Sequence, residues 1–433
     1  MFAAEPILLM FGAVLFLYFI AVSIKFPMIL AAIYPLTFLS FTQTAFSVGG
    51  VSPSKYLGAV LIFVGLIYLA KEIGSSADRN YSLLGLFCLI MFFPMWILIR
   101  FLIEGSDLNL AFTFLLNALT TFSIVVMINT ERRKRIIEIS LGATFIILAL
   151  SMIIAYYFPS ITMFRTTQLG GYSRTLGLVN DPNYGGAFIA IGITYFFSKL
   201  VYYYETKRRS LFYLFLFLMV ISLIGLGMTL SRSAILSAAA CLLMMFLFGR
   251  MKFKNLVWFS LLIMFLYMLA RQFPSLVDDM ISRFSILTFD FSNTMRLEIF
   301  KHGIHVFENN LWVGVGQFTG YHNAFLDAAV FGGVIGLISF VLIILIVFVT
   351  NIKIMISSEQ MFREAARFVV FGLFVIVFNS MLIGMETERI VWFVFGWGII
   401  NFILYRKAHQ DVKTTARTGP ATGSELKTSR FAL

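Results

Sequence analysis

Arg174, Arg232 and His322 are the residues of this chain best suited to chemistry on an anionic substrate. Each stands in a short polar motif at the end of an apolar segment. A guanidinium offers a permanent positive charge and a planar fork of donors that fits phosphate or carboxylate. An imidazole that stays neutral near pH 7 can take a proton from a hydroxyl. Two such cations and one such base at one surface would serve a group transfer whose leaving group is an anion.

The first motif runs from Gly171 to Gly185 and holds Arg174, Asp181, Pro182 and Asn183. Asp181 is a good helix N-cap and Pro182 fits the first helical position, so a helix should begin here. Helix N-termini attract anions, and Arg174 lies just before this one. The plainer alternative is an interfacial arginine touching lipid headgroups. The second motif is Thr229-Leu230-Ser231-Arg232-Ser233-Ala234, a tight turn between two long apolar runs. Its small neighbours favour an Arg232 that points into the protein; the alternative is one that snorkels to the interface.

The third motif, Gly314 to Asp327, contains Gly316, Gly320, His322 and Asn323, and Gly332, Gly333 and Gly336 follow it. His322 either acts as a base or caps and orients its loop. Glycines 314, 316 and 320 permit close backbone approach. No Gly-Lys-Ser/Thr follows them, so this is not a Walker A loop. Gly332, Gly333 and Gly336 equally suit helix packing. Met295 to Gly303 reads as an amphipathic surface helix that carries a further candidate, Arg296. Glu386 and Glu388 add two carboxylates that could pair with a substrate-binding arginine or be plain surface.

The elements that must position these residues follow from composition. The chain has 433 residues, 60% hydrophobic and 12% charged, with a mean hydropathy of +0.92. A soluble domain of this length needs more polar surface. Apolar runs near membrane-spanning length recur and should be helices, because a bilayer leaves the backbone no other partner. The expected fold is an all-α polytopic membrane protein. Its expected spans are 6–24, 27–42, 56–70, 82–103, 110–128, 136–157, 184–203, 211–230, 233–248, 255–270, 323–350, 368–384 and 390–405. A net charge of +12 would suit nucleic acid, but the basic residues sit in short loops between apolar runs, so no such partner is expected. Cys88 and Cys241 both lie inside apolar runs, so neither a disulfide nor a metal site is expected. The first run lacks a small-residue cleavage site and reads as retained.

Basic clusters at 132–135, 207–209, 250–254, 353–367 and from 406 onward belong in the cytoplasm by the positive-inside rule. Loops 158–183, 231–232, 271–322 and 385–389 then face outward, and all three motifs share that side. The expected division is N-terminal transmembrane helices over 1–160, a catalytic region over 161–350, C-terminal transmembrane helices over 351–408, and a disordered cytoplasmic tail over 409–433. Loop 271–322 should fold over the bundle, as in an enzyme or receptor rather than a channel. The absence of an internal repeat argues against an inverted-repeat transporter.

Over roughly 165–350 the order of motifs resembles the O-antigen ligase/polymerase superfamily, the Wzy/WaaL-type membrane glycosyltransferases. The shared features are Arg174 with Asp181-Pro182-Asn183 before a span, the Ser231-Arg232-Ser233 turn, and a long outer loop leading through Gly314-x-Gly316 to His322-Asn323 and a glycine cluster. The resemblance implies a GT-C-like fold and a site at the outer leaflet of a bacterial inner membrane, facing the periplasm. It implies a glycan donor on undecaprenyl pyrophosphate and a glycan or lipid acceptor. Membrane lipids and other polysaccharide-assembly proteins would be partners. It implies a metal-independent transfer without cofactor, Arg174 and Arg232 on the pyrophosphate and His322 as general base. Attack opposite the leaving group would invert the anomeric carbon. The motifs supply no obvious carboxylate nucleophile for a double displacement. The acceptor separates a surface-polysaccharide polymerase, the reading preferred here, from a ligase that joins glycan to lipid A–core or protein. A lipid-linked sugar transporter is the alternative of another class.

Overall fold

Backbone N–H and C=O groups find no water inside a bilayer, so long apolar runs satisfy them internally as helices. The computed structural model describes residues 26–39, 53–73, 77–106, 108–160, 165–169, 172–248, 274, 277–278, 281, 291–317, 320–357 and 360–417. Along them run α1 (Pro27–Ile33), α2 (Pro53–Ile73), α3 (Ala77–Glu104), α4 (Leu108–Met127), α5 (Glu131–Tyr157), α6 (Pro182–Glu205), α7 (Arg209–Met228), α8 (Arg232–Phe248), α9 (Phe291–Asn309), α10 (Ala324–Ser357), α11 (Gln360–Ser380) and α12 (Arg389–Arg417). Among the described residues, seven stretches are long and apolar enough to cross a membrane: Gly85–Glu104, Leu108–Met127, Glu131–Tyr157, Pro182–Glu205, Arg209–Met228, Ala324–Ile356 and Arg389–Gln410. Shorter apolar helices cover Pro27–Phe38, Ser54–Ala70 and Arg232–Met245. Phe63, Phe92, Leu102, Phe217 and Ile338 face outward, an arrangement that suits a lipid solvent. The chain is an all-α polytopic membrane protein.

The expected spans 6–24 and 255–270 lie outside the described residues, as does the end of 27–42. The described part of 27–42 is α1 followed by a 3-10 turn, Tyr34–Phe38, with Pro35 near the junction. Proline has no N–H to continue the α ladder. The tail expected to be irregular from 409 is helical as far as Arg417. There the His409 ring lies tilted against Tyr405 one turn back, with ring centroids 4.1 Å apart. Residues 418–433 lie outside the described set.

The segment 158–183, expected as an outward loop, contains structure that helical patterning misses. Strands β1 (Arg165–Leu169) and β2 (Tyr172–Gly177) pair antiparallel, with Leu169 opposite Tyr172 and Thr167 opposite Arg174. Thr166, Thr167 and Thr175 are β-branched, and Gly170-Gly171 is the two-residue composition that favours a tight hairpin. Thr175 Oγ1 donates to the Met228 carbonyl at 2.7 Å and ties β2 to the end of α7.

Helix α10 is broken near its start. Gly333 has φ +66° and ψ −161°, a conformation that glycine alone adopts readily. The loop before α10 fills the break. Val315 N–H donates to the Val330 carbonyl at 2.8 Å, Gly316 N–H to Phe331 at 3.2 Å, and Val334 N–H to Leu311 at 2.8 Å. Trp96 Nε1 on α3 donates to the Gly332 carbonyl at 2.8 Å. Arg100 on the same helix donates to the Gly314 carbonyl at 2.9 Å and pairs with Glu104 at 2.7 Å. Irregular backbone at membrane depth persists where protein satisfies it, and these bonds do so. Gly332 and Gly333 therefore do more than provide a smooth packing surface between helices.

Candidate functional site

Asp181 has extended backbone, and its Oδ1 accepts from the Asn183 N–H at 2.6 Å. That caps α6, with Pro182 at its first position. Asn183 is thereby fixed in the first turn, where its side chain meets two other segments. Its Oδ1 accepts from Arg174 Nη2 at 2.9 Å and from Ser231 Oγ at 3.3 Å. Arg174 Nε also donates to the Thr229 carbonyl at 3.2 Å. The Arg174 strand and the 229–234 turn thus converge on the N-terminus of α6. The approach is close: a methyl group on Gly186 would meet Ala234 Cβ at 2.8 Å and Ser231 Cβ at 2.9 Å.

Arg174 is 3% exposed, so its charge sits inside the protein rather than on a lipid headgroup. Leu230 has φ +50°, a sharp backbone reversal immediately before Ser231 and Arg232. Arg232 is the first residue of α8 and is half-buried.

His322 has φ +55°, a left-handed conformation uncommon for a residue with a side chain. Its neighbours on both sides are held. The Tyr321 N–H donates to Asp327 Oδ1 at 2.7 Å. Asn323 Oδ1 accepts from the Phe325 and Leu326 N–H groups, both at 3.0 Å, and caps α10. Asn323 Nδ2 donates to the Met381 carbonyl at 3.1 Å. From above, α9 presses Gly303 onto Tyr321, where a methyl group would lie 2.6 Å from the ring. The surface helix expected around 295–303 is thus part of α9 and packs on the His322 turn. A strained residue fixed from both sides is a common mark of a functional position.

The His322 ring reaches solvent. Partial loss of water around it lowers its pKa below the ordinary 6.5; the Arg296 cation on α9 lowers it further, and Asp181 opposes both. His322 is therefore neutral at pH 7. His322 thus feels the charges of both Arg296 and Asp181, the cap of α6. The expected residues Arg174, Asp181, Asn183, Arg296, His322 and Asn323, with the turn bearing Arg232, all lie around this end of the bundle.

The 381–388 loop closes one side. Tyr184 on α6 donates to the Gly384 carbonyl at 2.9 Å. Glu386 is not plain surface: it is 1% exposed, and it has no arginine partner among the described contacts. Burial pushes its carboxyl well above the usual range, helped by Asp327 and Glu388. Burial also pushes Glu388 up to about 7, with Arg389 opposing and Asp181 adding to the rise. Sequence reasoning passed over Arg100, whose signal was an arginine inside an apolar run. It also passed over Tyr184 as a link and over the buried setting of Asp327 beside Glu386, neither of which has a local signature.

No curated protein sequence matches the chain. Residues 217–341 match the family model described as O-antigen ligase. The match spans the Ser231–Arg232 turn, the segment 271–322 and the His322–Asp327 segment, and stops short of Arg174 and Glu386 on either side. Over that stretch the chain is similar to the O-antigen ligase family.

Proposed function

We propose that this protein transfers a glycan from a polyprenyl pyrophosphate to an acceptor hydroxyl at the outer face of the bacterial inner membrane. The observation that carries the reading is the Asn183 junction, which ties Arg174 and the Ser231–Arg232 turn to the capped N-terminus of α6, with neutral His322 within the electrostatic reach of Asp181. Fixed positive charge and a helix N-terminus at one place suit a leaving pyrophosphate.

In this reading His322 takes the proton of the acceptor hydroxyl as its oxygen bonds to the anomeric carbon. The bond from that carbon to the phosphate oxygen breaks, and the electron pair leaves with the pyrophosphate. The buried charge of Arg174 and the charge of Arg232 stabilise that oxygen through a low-dielectric medium. The attack comes from the face opposite the leaving group and inverts the anomeric carbon. The base is worth about 10²–10⁴ in rate, and each charge about 10²–10³ by analogy with oxyanion-hole donors.

The preferred acceptor is another lipid-linked repeat unit, which makes the enzyme a polymerase. The description of the matching family favours a second reading, a ligase that uses a lipid A–core or protein acceptor. A gel of cell-surface glycan from a strain lacking the gene, complemented with wild type or His322→Ala, separates them. Acceptors bearing a single repeat, with a ladder restored by wild type alone, support the polymerase. Bare acceptors with long lipid-linked polymer support the ligase. A full ladder from His322→Ala at normal protein level removes His322 as the base.

A further inference from the structure

Asp327 and Glu386 come from elements far apart in sequence and meet at one backbone position. A methyl group built on Gly384 would lie 3.1 Å from Asp327 Oδ2 and 3.4 Å from each Glu386 carboxylate oxygen. The two carboxyl groups therefore flank the same α-carbon. Each residue is 1% exposed. Asp327 Oδ1 is committed to the Tyr321 N–H. Glu386 is held by its backbone, whose carbonyl accepts from Trp392 Nε1 at 2.8 Å. Its Oε2 is buried and has no hydrogen-bond partner among the described residues.

Among the described residues, the charged and titratable groups that act on Glu386 are Asp327 from α10, Glu388 from its own loop and Tyr184 from α6, and none of these is a cation. Two carboxylates out of water with no cation between them cannot both stay ionised; one keeps its proton. An orphaned buried oxygen is costly unless a hydrogen occupies or meets it.

We propose that Asp327 and Glu386 jointly retain one proton, as a buried carboxyl pair that positions the His322 turn. Asp327 reaches His322 through the Tyr321 N–H, one residue before the left-handed histidine. Glu386 anchors Asp327 to the 381–388 loop, which also holds Asn323 through the Met381 carbonyl. These are positioning residues; neither touches the reacting atoms. The role in transfer rests on the glycosyltransferase reading, whereas the retained proton does not.

Loss of the proton as pH rises would set two negative charges side by side and loosen the turn. Transfer should therefore fall on the alkaline side, although His322 remains a base there. Glu386→Gln is a permanent stand-in for the protonated carboxyl, because its amide can donate where the acid proton did.

The test uses the full-length protein in lipid nanodiscs. Infrared difference spectra between wild type and Glu386→Gln should show a protonated-carboxyl band at neutral pH, with Glu388→Gln as the control for the other raised carboxyl. Glu386→Ala should lower transfer by up to about 10²-fold, the scale of a small misplacement of a catalytic group. Glu386→Gln should restore it and abolish the alkaline fall. If Glu386→Ala does not fold, the spectra and the Glu386→Gln profile still decide. Absence of the band, or an unchanged alkaline fall in Glu386→Gln, overturns the pair. A band present in a protein that transfers no glycan leaves the pair standing and removes the glycosyltransferase reading.

Discussion

Arg174 and Asn183 are joined by a 2.9 Å hydrogen bond from guanidinium to amide oxygen, and the same oxygen accepts from Ser231. One side chain in the first turn of α6 therefore sets the distance between two motifs separated by more than fifty residues of chain. The acceptor on Asn183 is a neutral amide oxygen, so this bond holds the guanidinium without itself cancelling its charge. A carboxylate in the place of Asn183 would offset that charge.

Asn183→Ala removes the acceptor shared by Arg174 and Ser231. A hydrogen bond to a charged group is worth about 1.5–3 kcal/mol, which corresponds to roughly 10- to 100-fold in rate. Transfer should fall by that factor at normal protein level. Asn183→Asp keeps the geometry and adds a negative charge, so it should fall at least as far. Initial rates on a lipid-linked donor check both. Equal rates for wild type and Asn183→Asp would show that the charge of Arg174 is not used.

The pKa of His322 sets the acidic limb of the reaction. Desolvation and Arg296 lower it, and Asp181 raises it. A lowered pKa keeps the imidazole neutral to more acidic pH, so the acidic fall in kcat/KM should lie below 6.5. Arg296→Gln removes one lowering influence and should move that fall to higher pH without changing the plateau greatly. A pH profile of the two proteins checks the sign. A shift toward lower pH would contradict the placement of Arg296 beside His322.

The motifs were visible because helix capping and turns have local rules: Asp181-Pro182 marks a helix start wherever it occurs, and small residues around Arg232 mark a tight turn. Helix positions followed from apolar runs of bilayer length. The hairpin at 165–177 was not visible, since its strands are five and six residues long in a chain whose period is helical. The break in α10 was only half visible. Gly314 and Gly333 stood out, but that they face each other is a fact of tertiary packing. Glu386 shows the same limit, because its burial depends on Asp327 and Trp392, which no periodicity places beside it.

Gly314 and Gly333 should resist substitution for one shared reason. Both have positive φ, +69° and +66°. A methyl group on Gly314 would lie 2.5 Å from Gly333 N and from the Val330 carbonyl oxygen. Backbone strain alone costs about 1–3 kcal/mol, and those contacts cannot yield as a flexible side chain would. Either alanine variant should lower the thermal midpoint in detergent and displace the 311–316 loop. Arg100→Met leaves the glycines intact but removes the bond to the Gly314 carbonyl, so it should weaken the same junction less. If Gly314→Ala matched wild type in both stability and transfer, the loop would not need to enter the break.

The opposite end of the bundle carries a separate ionic cluster. Lys199 Nζ on α6 lies 2.6 Å from Glu138 Oε2 on α5 and 3.1 Å from Glu364 Oε2 on α11, with all three side chains nearly buried. The cluster joins three helices, and two of them, α6 and α11, lead to the site. Lys199→Met would take away the one cation that bonds both carboxylates, leaving only the more distant fields of Lys134 and Arg135. Removing one partner of a buried ionic group costs about 3–5 kcal/mol, while replacing the whole group by apolar residues is often neutral or stabilising. Thermal unfolding in detergent should therefore show a large loss for Lys199→Met. The triple variant Lys199→Met, Glu138→Leu, Glu364→Leu should recover most of it. Transfer per folded molecule should be unchanged in the triple variant, because none of the three residues contacts the Asn183 junction. A triple variant that is stable but inactive would mean that the cluster couples to the site through α6 or α11 and is not only a clamp.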